Sequence, residues 1–248
     1  MRLIFIALIT IALLLRCEAP RVNPFDPNGD NYQGDTPTLS DTKFYSIFEN
    51  FNSRTTLMFQ TQINSGQINN TVTNASLKLN NFIFEKELDI SINDGLPQYH
   101  LTIRLEEIDS TLSPANIVEK DFSLRVKTTT GDSFLFSPFN IRRVIMEDFN
   151  RDSHIPRDGS IETGNILFKW QPVQLNYNFS YQLEIFSLQR LELIAEINDI
   201  PSDSSQYLLQ DLQILNNLDA EDNIWSLYII DSLGNRNKSH FNLFNYSK

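Results

Sequence analysis

The chain contains 248 residues, of which 31 are acidic and 20 are basic, so its formal net charge is −11. Hydrophobic residues make up 41% and charged residues 21%, a balance typical of folded rather than disordered proteins. The length fits two modest domains or one large domain. Because the chain lacks the excess positive charge that neutralises phosphates, we expect no nucleic-acid partner.

The N-terminus has the features of a secretory signal. Met1 and Arg2 are followed by a run of uncharged, mostly aliphatic residues, Leu3–Leu15. A helix needs about 20 apolar residues to cross a bilayer, whereas about 7 to 15 after a charged start are typical of a signal peptide. We therefore predict a signal peptide over residues 1–16.

Cys17 is the only cysteine, so it has no partner for a disulfide within the chain. The segment Leu13–Cys17 resembles the lipobox of bacterial lipoproteins, with Leu14 and Cys17 at the −3 and +1 positions. Arg16 stands where a small residue is usual, as in relaxed, spirochaete-like versions. The resemblance implies lipidation of Cys17 by palmitate-type chains and anchoring in the bacterial cell envelope, at the outer membrane. The alternative is an uncleaved signal anchor with a free thiol.

A stretch rich in proline and glycine follows, and we predict that Cys17 and the residues up to 41 form a flexible tether. Residues 18–41 show no apolar alternation, and some twenty of them in an extended form, at about 3.1 Å each, reach on the order of 60 Å. Within this stretch, Asn23–Tyr32 resembles a segment that follows the acylated cysteine in bacterial lipoproteins with immunoglobulin-like modules. Both features imply a domain held away from a membrane.

From residue 42 onward the sequence has the pattern of strands and turns. Apolar residues recur at every second position, which indicates one buried face, in four runs: Ile166 to Trp170, Phe179 to Ile185, Leu191 to Ile197, and Trp225 to Ile229. The spacing of the runs fits a β-sandwich, and no βαβ alternation appears. We predict an all-β chain, with a helical turn or irregular connection at Leu208–Ala220.

The chain also repeats itself at an offset of 103 residues. The segment Phe122–Leu124 matches Trp225–Leu227, and Gly131 matches Gly234 at the same offset. Each copy reads as a strand, a glycine turn and a returning strand. The simplest explanation is a tandem pair of β-sandwiches, over residues 42–145 and 146–248.

The second of these regions resembles a fibronectin type III domain. The resemblance rests on Pro156, on Phe168–Pro172 as the second strand, and on Trp225–Asn235 as the penultimate strand and its turn. It implies a sandwich in which Trp170 is buried. The first region lacks that tryptophan, its counterpart strand is Thr56–Ile63, and it resembles the immunoglobulin-like folds more generally.

No pattern of catalytic residues stands out, and we predict that the chain is not an enzyme and needs no cofactor. His100 continues a strand, His154 lies in a polar linker and His240 lies on the last strand, so we expect solvated or packing roles for all three. Gly131–Ser133 fits a hairpin turn better than a nucleophile motif. Glu106 and Glu107, as neighbours on a strand, would point to opposite faces and could not act as a pair.

Two segments have the alternating oxygen ligands that Ca²⁺ prefers. They are Asp26, Asn28, Asp30 and Asp148, Asn150, Asp152. Neither has the glycine or the final glutamate of an EF-hand, and an asparagine-rich linker gives the same pattern. We keep Asp148, Asn150 and Asp152 as weak calcium candidates at the predicted domain junction.

The aromatic residues fall mostly on alternating strand positions, where rings fill the space between two sheets. They are Phe134, Phe136, Phe139, Trp170 and Trp225. We predict a lipid-anchored envelope protein that acts as a non-enzymatic binding or spacer module, with a protein or glycan ligand. The alternative is an accessory subunit of a secreted enzyme or a surface assembly.

Overall fold

A computed structural model describes residues 37–65, 71–118 and 120–248 of the chain. Predictions for the signal peptide, for Cys17 and for Asp26–Asp30 lie outside these residues. Within them, no helix is long and apolar enough to span a membrane. The end of the predicted tether was wrong, because the first strand already begins at Thr38 and pairs there with Asn64.

Strands dominate the first half of the described chain. They are β1 (Thr38–Glu49), β2 (Arg54–Asn64), β3 (Val72–Leu79), β4 (Phe84–Glu87), β5 (Asp89–Asn93), β6 (Leu96–Arg104), β7 (Phe122–Thr128) and β8 (Ser133–Phe139), with one short helix, α1 (Leu105–Ile108). One sheet has the order β1-β2-β6-β5 and the other β4-β3-β7-β8. This is the strand arrangement of an immunoglobulin-like sandwich, as predicted. The buried residues of its core lie between Phe48 and Val144.

The second half is a sandwich of the same kind. Its elements are a 3₁₀ turn (Arg151–Ser153), β9 (Ser160–Thr163), β10 (Ile166–Lys169), β11 (Phe179–Ser187), β12 (Glu192–Pro201), β13 (Gln206–Leu209), α2 (Leu212–Asn217), β14 (Asn223–Asp231), β15 (Arg236–Lys238) and β16 (Asn242–Ser247). Strands β10 and β13 form a small sheet that faces the β12-β11-β14 sheet. Its core extends from Ile145 to Tyr246. Along the sequence, the last buried residue of the first core is Val144 and the first of the second core is Ile145. This change lies next to the predicted domain boundary, which itself stays a prediction.

Alternation of side chains explains why these segments fold as strands. In β14, Trp225, Leu227 and Ile229 are fully buried, and in β2 every second side chain faces the first core. Trp170 is also buried, with its ring 5.4 Å from that of Tyr181, as the resemblance implied. Burial of each large side chain contributes roughly 1.5–3 kcal/mol, so such alternation stabilises both sandwiches.

The predicted repeat is confirmed as two hairpins with the same hydrogen bonds. Gly131 N donates to the carbonyl of Thr128, and Gly234 N donates to the carbonyl of Asp231, each at 3.0 Å. Both glycines have a positive φ, +88° and +86°, which explains why glycine occupies the turn. The matched residues therefore have the same place in both sandwiches.

Three local predictions were wrong. Glu106 and Glu107 lie on α1 rather than on a strand, because Leu105 and Ile108, three residues apart, are both buried on one helical face. Leu191 does not extend the alternation of β12. It is exposed in the turn before the strand, with a φ of +54°.

His240 lies in the break between β15 and β16 rather than on a strand. The break occurs because the Ser239 hydroxyl accepts a hydrogen bond from Leu227 N at 2.9 Å and donates one to the carbonyl of His240 at 2.7 Å. The last strand of the sandwich is thus divided into two pieces. The first piece, β15, stays paired with β14 of its own sandwich and also pairs with β1 of the other one.

Candidate functional site: the junction between the two sandwiches

A parallel strand pair joins the two sandwiches. The end of β1 pairs with β15 over Ile47–Glu49 and Arg236–Lys238. Through this pair, the sheet β12-β11-β14-β15 of the second sandwich continues into the sheet β1-β2-β6-β5 of the first. The junction is therefore a part of the secondary structure, unlike the exposed, flexible linker that usually separates two domains.

The side chains of β15 divide the junction into two faces, because neighbours on a strand point in opposite directions. Arg236 and Lys238 lie on the outer face, opposite Ile47 and Glu49 of β1. Asn237 points the other way, as does Asn235 just before the strand, and both amides are buried, with 0% and 2% of their surface exposed. A buried amide is costly unless it is hydrogen-bonded.

Asn235 satisfies its amide with groups from both halves of the chain. Its Oδ1 accepts from Ser46 N at 3.0 Å, and its Nδ2 donates to Asp231 Oδ2 at 3.1 Å. The Ser46 hydroxyl donates to the carbonyl of Arg143 at 3.1 Å, on the segment that connects the two sandwiches. These bonds tie β1, the connecting segment and the turn before β15 together.

Asn237 makes a second set of bonds one pleat further along. Its Nδ2 donates to the carbonyl of Glu147 at 2.6 Å, and its Oδ1 accepts from Asn50 Nδ2 at 2.6 Å. The backbone N–H of Asn50 donates to the carbonyl of Lys238 at 3.0 Å, which extends the strand pair by one bond. The removal of either asparagine side chain would leave buried partners without hydrogen bonds, at a cost of about 1–3 kcal/mol.

A charged cluster closes the inner face. The Asp231 carboxylate is fully buried, 3.2 Å from Arg143 Nη1, and it also accepts from Leu233 N at 2.9 Å. The guanidinium carbon of Arg143 lies 3.6 Å from the centre of the Tyr177 ring, in cation–π contact. Burial, with the charge of Glu147, raises the pKa of Tyr177 to about 12, so the phenol stays neutral.

On the outer face, aromatic and charged side chains pack across the sheet. Tyr228 donates its hydroxyl to Glu184 Oε2 at 2.7 Å, and Lys238 Nζ lies 3.6 Å from the same oxygen. Burial raises the pKa of Tyr228 well above its ordinary value, and the charge of Glu184 raises it further. Arg236 lies over the ring of Tyr45, at 5.8 Å from its centre. Side chains from both sandwiches thus form one continuous outer surface.

The structure does not bring the calcium candidates together with other ligands. Asp148, Asn150 and Asp152 are all exposed, and Asn150 Nδ2 donates to Gln171 Oε1 at 2.7 Å. Residues 37–65, 71–118 and 120–248 contain no group of three or more His, Cys, Asp or Glu that could hold a metal. Calcium binding at these residues stays a prediction, which a rise in melting temperature with millimolar Ca²⁺ would support.

His154 is buried, although a polar linker was predicted around it, so of the solvated and packing roles expected for it the structure shows the packing one. It is 1% exposed, its ring centre is 5.0 Å from that of Trp225, and its Nδ1 is 2.8 Å from Asn242 Nδ2. Burial lowers its pKa to about 4, with smaller contributions from the charges of Arg151 and His240. Gly131 and Asp132 lie in the β7–β8 turn, as predicted, and Ser133 begins β8.

The junction residues Asn235 and Asn237 were not among the functional residues predicted from the sequence. One signal was present: in Asn235-Arg236-Asn237, amide and basic side chains alternate with the period of a strand. Asparagine is depleted in strands, so two of them on one face indicate hydrogen bonds that the strand itself does not supply. Nothing in the alternation indicated that β1 would be the partner.

No protein-family model matches the chain. No curated protein matches it either. Among solved structures, it is similar to the FN1–FN3 domains of chicken CNTN1, with 11% identity over 86% of this chain and a TM-score of 0.30. It spans 64% of that chain.

Two bacterial structures are also similar. The fibronectin(III)-like modules of Clostridium thermocellum CbhA show 8% identity over 85% of this chain and 93% of theirs, with a TM-score of 0.35. A bacterial ice-binding adhesin, retained at a host cell surface, shows 9% identity over 85% of this chain and 65% of its own, with a TM-score of 0.26. At identities and TM-scores this low, the similarities carry no argument about function, and the description of the fold rests on the strands themselves.

Proposed function

We propose that this chain is a non-enzymatic spacer and binding module, which holds two β-sandwiches in one fixed arrangement at the bacterial cell envelope. The observation that carries the proposal is the β1–β15 strand pair, with the buried Asn235 and Asn237 beside it. Domains that act independently rarely share a sheet, and relative motion is the default for a small polar interface. Here, any rotation of one sandwich would break strand hydrogen bonds and expose buried amides.

A fixed arrangement suits a protein that presents a surface at a set distance from its point of attachment. The predicted tether and lipidated Cys17 would provide the attachment, and the sandwiches would provide a stiff body beyond it. The outer surface, with the half-buried Tyr45 and Arg236, carries aromatic and arginine side chains of the kind enriched at protein interfaces, which supports a protein ligand, with a glycan as the alternative. Without residues 1–16 the chain keeps its 31 acidic residues and 18 basic ones, and this net charge of −13 would repel the body from anionic headgroups.

The fixed arrangement can be tested by distance measurements between spin labels. Lys127 on β7 and Asn198 on β12 are exposed and belong to different sandwiches, so each can be replaced by a labelled cysteine in the full chain carrying Cys17→Ala. We expect one narrow distance distribution. Asn237→Leu should broaden it, because Glu147 and Asn50 lose their buried partner.

The matched control is Asn216→Leu, at an exposed position of α2 in the same sandwich, which should leave the distribution narrow. A broad distribution in the parent chain would refute the proposal that the sandwiches move as one body. A distribution that stays narrow in Asn237→Leu would refute the role assigned to the asparagine.

The attachment is tested separately. Cells that express the full chain and receive a labelled fatty acid should incorporate label into this protein, and Cys17→Ala should abolish the incorporation. The absence of label from the parent chain would remove the lipid anchor from the proposal, while the test of the junction would stand unaffected.

A further inference from the structure

Strand β5 differs from three other edge strands of the structure, β4, β8 and β12. Edge strands usually carry charges, proline or irregular pairing, which prevent another strand from adding to them. Thus β4 carries Glu85–Glu87, β8 contains Pro138, and β12 shows two shifts of register. The segment Asp89–Asn93 has none of these features in its interior, all five of its residues are exposed, and in the described parts of the chain it pairs only with β6.

The pairing with β6 shows which backbone groups of β5 face outward. Ile92 lies opposite Pro97, which has no N–H to donate. This pair is therefore a non-hydrogen-bonded one, and so is Ile90 opposite Tyr99, two residues away. The N–H and C=O groups of Ile90 and Ile92 consequently point away from β6, toward the free side of the strand.

The turn that follows β5 agrees with this assignment. Asp94 and Gly95 have φ values of +49° and +78°, which fit a two-residue hairpin turn. Such a turn is closed by a hydrogen-bonded pair, here Asn93 with Leu96. Hydrogen-bonded and non-hydrogen-bonded pairs alternate along antiparallel strands. Starting from the hydrogen-bonded pair Asn93–Leu96, Ile92 and Ile90 again fall in non-hydrogen-bonded pairs, so their backbone groups point outward.

The side chains of the two isoleucines are also available. Ile90 lies opposite Tyr99, which is buried, so both isoleucines belong to the face of the sheet that covers the core. They nevertheless extend past the opposing sheet and are 58% and 70% exposed. A strand added beside β5 would continue this apolar face.

We propose that β5 pairs antiparallel with β5 of a second copy of the chain, with the two Ser91 residues facing each other. In this register, Ile90 lies opposite Ile92 of the second copy, and the outward groups of both residues form four hydrogen bonds across the two-fold axis. Asp89 lies opposite the neutral Asn93, so no two carboxylates oppose each other. The strand is therefore complementary to itself in hydrogen bonding, in apolar side chains and in charge.

A disulfide tests the register directly. In the full chain with Cys17→Ala, Ser91→Cys should give a covalent dimer on mild oxidation, because side chains at a non-hydrogen-bonded pair are close enough to be bridged. Asn93→Cys is the matched control, since residue 93 would face residue 89 rather than its own copy. A dimer from Asn93→Cys as abundant as that from Ser91→Cys, or none from Ser91→Cys, would overturn the proposal.

The affinity is tested by sedimentation of the same Cys17→Ala chain over a range of concentrations. Ile92→Lys should weaken the dimer about tenfold or more, because a lysine disrupts two symmetric contacts and protects the edge. Leu193→Lys, at an exposed apolar position of the edge strand β12, should leave the dimer unchanged. A chain that stays monomeric throughout, or a dimer that only Leu193→Lys disrupts, would refute pairing through β5.

Discussion

His154 gives the sharpest test of the second core. The unfolded chain binds a proton at this imidazole near pH 6.5, whereas burial lowers the pKa in the folded state to about 4. Between these values the unfolded state holds more protons, so the free energy of unfolding must fall as the pH decreases from about 6.5 to about 4. The difference of about 2.5 pKa units corresponds to about 3 kcal/mol.

The contacts of His154 give the same sign. Since Asn242 Nδ2 is a donor, Nδ1 of the neutral ring accepts from it, and a proton added at Nδ1 would place two donors 2.8 Å apart. Charged imidazole would also lie buried between Phe149 and Trp225. Protonation of the ring thus favours the unfolded chain.

The assay is urea unfolding at a series of pH values from 7 to 4, with the parent chain and His154→Gln compared at each pH. The difference in unfolding free energy between them should decrease by about 3 kcal/mol as the pH falls. His100→Gln, at a half-buried position on β6, is the matched control and should follow the parent chain. If His154→Gln and the parent keep a constant difference across the range, the reasoning from burial is wrong.

Two further predictions concern the cores and the repeat. Gly131→Ala and Gly234→Ala should each cost about 1–2 kcal/mol, because both have a positive φ, while an added Cβ meets nothing closer than Tyr45 at 3.7 Å. Urea unfolding would measure both costs, and a large inequality between them would contradict the equivalence of the two turns. Trp225→Phe should cost about 2–4 kcal/mol, because it leaves a cavity and removes the hydrogen bond from the indole to the carbonyl of Pro156, 3.0 Å long. A thermal melt within error of the parent would show that the indole is not a central part of the core.

Local periodicity predicted four of the eight strands described in the second sandwich, β10, β11, β12 and β14. Trp225, Leu227 and Ile229 alternate so regularly that a strand is needed to place all three on one face. The structure shows that the opposite face is largely buried too, because Ser226 and Tyr228 are also buried. The turns at Gly131 and Gly234 were equally readable, since few residue types other than glycine adopt a positive φ without cost. In both cases a few neighbouring residues determine the conformation.

The junction could not be predicted in the same way, because its partners are far apart in the sequence. Ser46 and Asn235 are separated by 189 residues, and alternation indicates which face of a strand is buried but not which other strand lies beside it. The turn at Glu106 was missed for a related reason. The helical turn buries both Leu105 and Ile108. The preference for a helical turn over a strand comes from the surrounding tertiary packing, about which the local sequence pattern carries no information.

The parallel pair of β1 with β15 also has a consequence for synthesis of the chain. The end of β1 leaves the ribosome long before its neighbour β15, because Ser46 and Asn235 beside this strand pair are separated by 189 residues. Until β15 is translated, the end of β1 is an exposed strand edge, available to other nascent chains. The buried Ser46 and the half-buried Asn50 make this edge polar, and we expect this polarity to disfavour association with other chains before Asn235 and Asn237 are translated.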